Sequence, residues 1–363
     1  MTARRADWLA YVWGSVPGAA AAFAAGAGLL PQGAAIALLA VSFVGLNVAH
    51  MAATWSRVWL DPAGWRSHPL ERLAVPALLL LVPVALEAVG YGAALLGLQY
   101  YLSAHHASMQ NYGILRWSQR RTGRAVGGSL RLDQAACLLP ILGAVTWRAS
   151  VVAHEYGTAP LWAPPVELAA AVLAAGVTAL VAWLARELLA WRAGQPLDSL
   201  GIGVVVAHGA IWGGLILSLS HPMIPLYALA SGHYVQYLTF VWRVEAARPG
   251  LGAIPSPVRR LLSPPARLRW LLGMVAIGGG GVLALTFLSV GLRALAESGG
   301  LRGAALDIPP WAAAMLGVNL SHYWLDHRIW RAPAHGASSD AELPGGTLRP
   351  ITGSGPSAGL RGP

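Results

Sequence analysis

Along the chain, apolar stretches alternate with short segments rich in arginine, proline and glycine. A hydrocarbon core about 30 Å thick takes about 20 helical residues to cross. Stretches of that length between breaks predict ten helical spans, at about residues 8–30, 33–56, 73–90, 93–115, 133–153, 165–190, 200–219, 222–242, 270–292 and 308–327. Between Leu73 and Trp117 the only break is Gly90-Tyr91-Gly92, so that stretch is read as two spans joined by a tight turn. The 249–269 segment, with Pro255, Pro257, Pro264 and Pro265, reads as a loop. The predicted architecture is an all-α transmembrane bundle over residues 1–331, followed by a disordered, Gly-, Ser- and Pro-rich tail over 332–363.

Composition narrows the class. The chain is 56% hydrophobic and only 11% charged over 363 residues, with a mean hydropathy of +0.54, which excludes soluble domains, coiled coils and disordered chains. Cys137 is the single cysteine, so no intramolecular disulfide exists. The net charge of +10 would suggest nucleic acid in a soluble protein, but all 25 basic residues are arginines set between apolar runs, and they read as a topology signal. With the N-terminus inside, 22 arginines fall on the cytoplasmic side and only Arg148, Arg293 and Arg302 outside, so both termini are expected in the cytoplasm. The first span follows Arg4-Arg5 like a signal sequence but lacks a convincing cleavage site, and is read as an anchor. No repeat and no soluble domain is visible. A multi-pass protein of a bacterial inner membrane is the expectation.

Polar residues within spans are expensive and mark functional sites. Four even-numbered spans carry them densely. Asn47, His50, Thr54 and Arg57 share one helical face of the second; His106 and Gln110 stack a turn apart in the fourth; His233, Gln236 and Tyr237 share a face of the eighth; Asn319, His322 and Asp326 form a stripe on the tenth. Each histidine precedes a boundary arginine by a similar count: 7 residues from His50 to Arg57, 10 from His106 to Arg116, 10 from His233 to Arg243 and 9 from His322 to Arg331. At 1.5 Å per residue the four imidazoles lie in one layer, roughly 10 to 15 Å above those arginines. A lone membrane histidine is ordinarily a hydrogen-bonded packing residue. Four at one depth predict convergence to within about 10 Å, with His105 pointing away. His208 falls near the same depth and is a candidate fifth member; Glu87, mid-span in the third helix, is read either as a ligand or proton relay or as a protonated, hydrogen-bonded side chain. Trp55, Trp59, Trp117, Trp242 and Trp330 fit an aromatic belt.

Imidazoles suit iron, copper, zinc and nickel, while magnesium and calcium prefer oxygen, so the layer points to a first-row transition metal held by His50, His106, His233 and His322. Iron comes first, with copper, zinc or haem as alternatives. Asp326 is read as a partner that orients His322, with ligation or pairing to Arg328 or Arg331 as its other roles. Gln110, Tyr112, Gln236 and Tyr237 are the remaining catalytic or substrate-side candidates. The expected function is an oxidoreductase or oxygenase acting on a lipophilic substrate, a lipid or isoprenoid that enters from the bilayer, with electrons from a partner protein or from the substrate. No nucleic acid is expected. A transporter with a histidine-lined path, a quinone-linked carrier with bis-His haem, and a structural assembly factor are the rivals.

Spacing tests known membrane oxygen chemistry. Desaturases and alkane hydroxylases carry HxxxH followed by HxxHH boxes, which this chain lacks, and the histidines of haem-copper oxidases do not map onto it. Bacterial β-carotene-cleaving membrane dioxygenases resemble it in plan, as polytopic bundles with an all-histidine iron. His50-Met-Ala-Ala-Thr54, His106 to Gly113, His233-Tyr-Val-Gln236-Tyr237 and His322 to Arg331 resemble four blocks of a family of uncharacterised polytopic bacterial membrane proteins, typically HAAT, HxxxQxYG, HxxQY and HYxxDxxIW. The resemblance spans about residues 47–331 and implies that the four segments belong together. It names no substrate.

Overall fold

The structure, a computed structural model, describes residues 3–31, 34, 37, 45–59, 69–124, 130–151, 163–218, 223–246, 267–300 and 309–331. Among these there are helices and turns and no strand. The helices are α1 (Ala3–Tyr11), α2 (Val16–Gly26), α3 (Val48–Trp59), α4 (Pro69–Ala88), α5 (Gly92–Arg121), α6 (Leu130–Val151), α7 (Val166–Arg192), α8 (Ser199–Val206), α9 (Gly213–Ser218), α10 (Met223–Ala246), α11 (Arg267–Ser298) and α12 (Pro310–Arg331). A 3-10 turn at Trp13–Ser15 joins α1 to α2, and a π-helical turn at Ala207–Trp212 joins α8 to α9.

Six helical runs are long and apolar enough to cross a membrane: Arg5–Gly26, Pro69–Ala88, Leu130–Val151, Val166–Arg192, Ser199–Ser218 and Leu268–Ser298. They point to a membrane protein. Their outer faces are what a bilayer requires: on α11, Leu268 is 70% and Phe287 69% exposed, an arrangement that costs nothing against lipid. Residues 38–44 of the span expected at 33–56, most of the loop expected at 249–269 and the tail expected at 332–363 lie outside the described residues.

The break expected at Gly90-Tyr91-Gly92 is present. Gly90 adopts φ 94°, Tyr91 N–H donates to the Leu86 carbonyl (2.8 Å) and Gly90 N–H to the Glu87 carbonyl (2.9 Å), a glycine-ended stop that closes α4 before α5 begins. The helix after it is longer than expected. α5 continues past residue 115 to Arg121, so Arg116, read as a loop arginine, is a buried helical residue. Asp133 on α6 makes this affordable: its carboxylate accepts from Arg116 (2.9 Å), Arg186 (2.5 Å) and the Trp183 indole N–H (2.8 Å). Nearby, Glu187 accepts from Arg186 (2.7 Å) and pairs with Arg124, Arg121 donates to Asp7 (2.6 Å), and Asp198 accepts from Ser118 (2.6 Å). Burial pushes the Asp198 carboxyl above its ordinary range, against the hydrogen bonds from Ser118 and the Gly201 N–H. These contacts draw α1, the end of α5, the start of α6, the end of α7 and the start of α8 to one end of the bundle. Elsewhere, Glu87 at the end of α4 accepts from Ser289 (2.8 Å) and Arg293 on α11, and Arg148 of α6 donates to the Ile216 carbonyl of α9.

Two glycines set the helices that carry the polar residues. A Cβ on Gly278 of α11 would overlap the Val48 carbonyl oxygen of α3, and one on Gly317 of α12 would stand 2.5 Å from the Leu80 carbonyl oxygen of α4. Close backbone approach of this kind is how helices associate where lipid offers no hydrophobic driving force. Val48 and Gly317 lie two and five residues from His50 and His322, so the close contacts also fix the height of both histidines.

Candidate metal centre

His50 on α3, His106 on α5, His233 on α10 and His322 on α12 meet inside the bundle. Each offers one ring nitrogen to a group whose four atoms all lie within 4.8 Å of one another. Ring centroids are 4.1 Å apart for His50 and His322, 4.8 Å for His50 and His233, 4.9 Å for His106 and His233, and 4.8 Å for His106 and His322. The layer inferred from boundary arginines is therefore a cluster. His105 is exposed and turns away from it, as the sequence suggested.

The nitrogens are unevenly satisfied. His322 Nδ1 lies 2.7 Å from the Thr54 hydroxyl, and its Nε2 lies 3.0 Å from His106 Nε2. Thr54 Oγ1 is also 2.6 Å from the Tyr237 hydroxyl. His50 is 1% exposed, yet among the described residues neither of its ring nitrogens has a hydrogen-bond partner, and His233 Nδ1 is likewise buried without one. A buried polar atom left unpaired costs about 1–3 kcal/mol. Several on one set of imidazoles call for a ligand that takes lone pairs. A metal ion does so. Two imidazole nitrogens about 2.0–2.1 Å from a tetrahedral ion stand about 3.3 Å apart, close to the 3.0 Å between His106 and His322, and the widest separation of 4.8 Å closes with a small inward movement of the rings.

The other sequence candidates divide. Tyr237 is at the centre: its ring lies 4.5 Å from that of His50, and it reaches His322 through Thr54. Gln110 and Gln236 brace the frame. Gln110 Nε2 donates to the His233 carbonyl (3.0 Å) and to Gln236 Oε1 (3.2 Å), and Gln236 Nε2 donates to the Tyr11 carbonyl (2.7 Å) and Asn111 Oδ1 (3.3 Å). Asp326 does not orient His322, both of whose nitrogens face other groups. Its Oδ2 lies 3.7 Å from His106 Nε2 instead. The side chains of Arg328 and Arg331, its other expected partners, lie outside the described residues. Tyr112 is elsewhere: six residues from His106 it is turned about 240° around the helix, and it packs against Leu115, Ala136, Cys137, Trp183 and Val205.

His208 is not a fifth member. Its Nε2 is 3.0 Å from Ser108 Oγ and its Nδ1 3.1 Å from Asn111 Nδ2, and a cavity of about 10 Å³, room for one water, separates it from His233 and Gln236. Glu87 is engaged by Arg293 and Ser289 rather than by the histidines. Three neighbours lie in the polar segments but were given no role at the site. Thr54, four residues after His50, is the group that holds His322; Tyr323 stacks on His106 at 4.2 Å and 23°; Tyr234 lies 4.9 Å from His50. Thr54 and Tyr323 sat next to predicted ligands, at i+4 and i+1, and their polarity inside a span was the available signal.

Comparison with family models, with curated proteins and with solved structures finds no match to this chain.

Proposed function

We propose that the chain is an integral-membrane metalloprotein in which His50, His106, His233 and His322 hold one first-row transition metal ion, iron in the first place, and that it acts as an oxidoreductase or oxygenase on a lipophilic molecule drawn from the bilayer. The observation that carries this reading is the convergence of four imidazole nitrogens within 4.8 Å around a ring, His50, that has no hydrogen-bond partner among the described residues. Packing histidines ordinarily find partners; His50 has none among the described residues, and His233 Nδ1 none either. Imidazoles with a carboxylate near one edge, here Asp326 beside His106, suit iron better than magnesium or calcium.

Haem fits the geometry less well. Two axial imidazoles need an open plane between them, and here the other two rings fill it, at 4.1–4.9 Å between centroids. In the mononuclear reading the chain's residues have separate tasks. Thr54 holds His322 by Nδ1 and leaves Nε2 for the ion; the Gln110–Gln236 pair fixes the backbone at His233; Asp326 supplies negative charge beside His106. A bound redox metal would supply one-electron chemistry, with a membrane partner protein or the substrate itself as the source of electrons.

We further read the chain as about ten spans in a bacterial inner membrane with both termini cytoplasmic. The ion pairs support this alternation: Asp7 near the N-terminus meets Arg121 at the end of the fourth span, whereas Arg293, assigned to the opposite face, pairs with Glu87 near the other end of the third. The four blocks of the uncharacterised family then contribute one ligand each to one centre.

Metal analysis of the detergent-purified protein tests the proposal. About one equivalent of iron and no Soret band are expected, and His50→Ala and His322→Ala are expected to lose the metal while remaining inserted and monodisperse. Wild-type protein that purifies metal-free under conditions retaining labile metals, and gains no thermal stability from added Fe(II), Cu(II) or Zn(II), would refute it and favour the transporter reading.

A further inference from the structure

One edge of the centre is built differently from the rest. His50, His233 and His322 are buried, whereas the His106 side chain keeps 11% of its surface exposed, and beside it stands a polar group that no ligand role explains. Gln99 Nε2 donates to Ser103 Oγ (3.0 Å) and to the Tyr323 hydroxyl (3.0 Å), and those two hydroxyls are 2.9 Å apart. Tyr323 then stacks on His106. All three residues are only partly buried, and His105, in the same stretch of α5, is exposed. Half-buried amide and hydroxyl groups in a helix that faces hydrocarbon are costly. Among the described residues, Gln99 Oε1 is moreover buried with no partner. Reversing the amide would move the deficit to the NH2 group without removing it. One end of this amide therefore lacks a partner in either orientation, and a hydroxyl, donor and acceptor at once, satisfies both.

We propose that the α5–α12 edge at Gln99, Ser103 and Tyr323 is the lateral port of the centre, and that it takes a lipid with a single hydroxyl head, a long-chain alcohol or phenol, whose tail stays in the bilayer. The apolar surroundings select the tail. The trio selects the head, and the Tyr323–His106 stack puts that head against the most exposed of the four rings. This rests on the membrane oxidoreductase reading and names its substrate class, but the binding site consists of residues that are not metal ligands, so the two can fail separately.

Two photoreactive probes of equal chain length test it on the full protein in lipid nanodiscs: a diazirine-bearing hexadecanol and the same molecule without its hydroxyl. The alcohol is expected to label residues 99–106 and Tyr323 at several times the yield of the alkane, as mapped by mass spectrometry. Gln99→Met, which keeps the volume and removes the amide, should bring the two yields together, with Ser103→Ala as a milder variant that reduces the preference. His322→Ala should keep the preference, since the port does not need the metal; a metal-free wild type that still prefers the alcohol would support the port while removing the metal centre. Equal labelling by both probes in wild type, or an undiminished preference in Gln99→Met, would overturn the proposal.

Discussion

Replacing Thr54 by valine isolates the contribution of one hydroxyl to the centre. The substitution keeps side-chain shape and β-branching in a fully buried position, and among the described residues it removes the only hydrogen-bond partner of His322 Nδ1, 2.7 Å away. If His322 binds metal through Nε2, this bond fixes both its tautomer and its ring orientation, and loss of such a partner typically weakens metal binding 10–100-fold. That is about 1.4–2.7 kcal/mol of binding free energy, similar to the 1–3 kcal/mol cost of leaving a buried nitrogen unpaired. The assay is a chelator competition on purified protein, with thermal unfolding followed with and without excess metal. Thr54→Val should lower metal affinity by 10–100-fold and reduce the stabilisation that metal confers, whereas Thr54→Ser, which retains the hydroxyl, should restore most of it. A Thr54→Val protein that unfolds earlier by the same amount with and without metal, and whose metal affinity stays within a factor of about two, would show that the bond serves packing alone, and the assignment of Nε2 as the ligating atom would fall.

Two further substitutions separate the architecture from the chemistry. Gly278→Val places side-chain atoms where the Val48 carbonyl stands, so it should destabilise the protein by about 1–3 kcal/mol and also weaken metal binding, because α3 must move and carries His50; thermal unfolding together with metal content checks both effects. Tyr112→Phe should leave metal affinity and the visible spectrum unchanged, since Tyr112 packs on the far side of α5 against Trp183 and Cys137; a change of more than about threefold in affinity would return Tyr112 to the site.

The centre was legible in the sequence because depth in a membrane is a linear coordinate. Counting residues from each histidine to its boundary arginine locates the side chain along the bilayer normal, and a bundle brings residues at equal depth together. What the count cannot give is azimuth. His50, His106, His233 and His322 converge and His208 does not, although it lies near the same depth, because the π-helical turn at Ala207–Trp212 presents its ring to Ser108 and Asn111. Tyr112 was misplaced for the same reason, and Asp326 was matched to the wrong histidine: i+4 spacing puts it over His322, but the tertiary fold presents His106 to it. Glu87 found its partner 206 residues away in Arg293, a pairing that no local spacing could announce. Arg116 looked like a loop residue because charge normally ends a span. Asp133 supplies the counter-charge that lets α5 continue.

Three of the four helices that bear the histidines are long enough to span a membrane but are not apolar enough to count among the candidate spans. α5, α10 and α12 have 30, 24 and 22 residues, ample to span a bilayer, yet none is among the six runs apolar enough to qualify. Their polarity is concentrated where the helices meet: Ser108, Gln110, Asn111, His233, Gln236, His322 and Asp326 are all buried. Such residues would be prohibitive against lipid and are tolerable only if other helices screen them. α4, α7 and α11 have the opposite character, with apolar windows no more than 17% buried within the protein, and are suited to that screening role. A bundle selected only for stability in lipid would not concentrate polar residues on the same helices, since apolar packing achieves stability at less cost. The division of labour between apolar wall and polar interior, more than any one histidine, is what favours the proposed bound ligand over a packing role for the cluster.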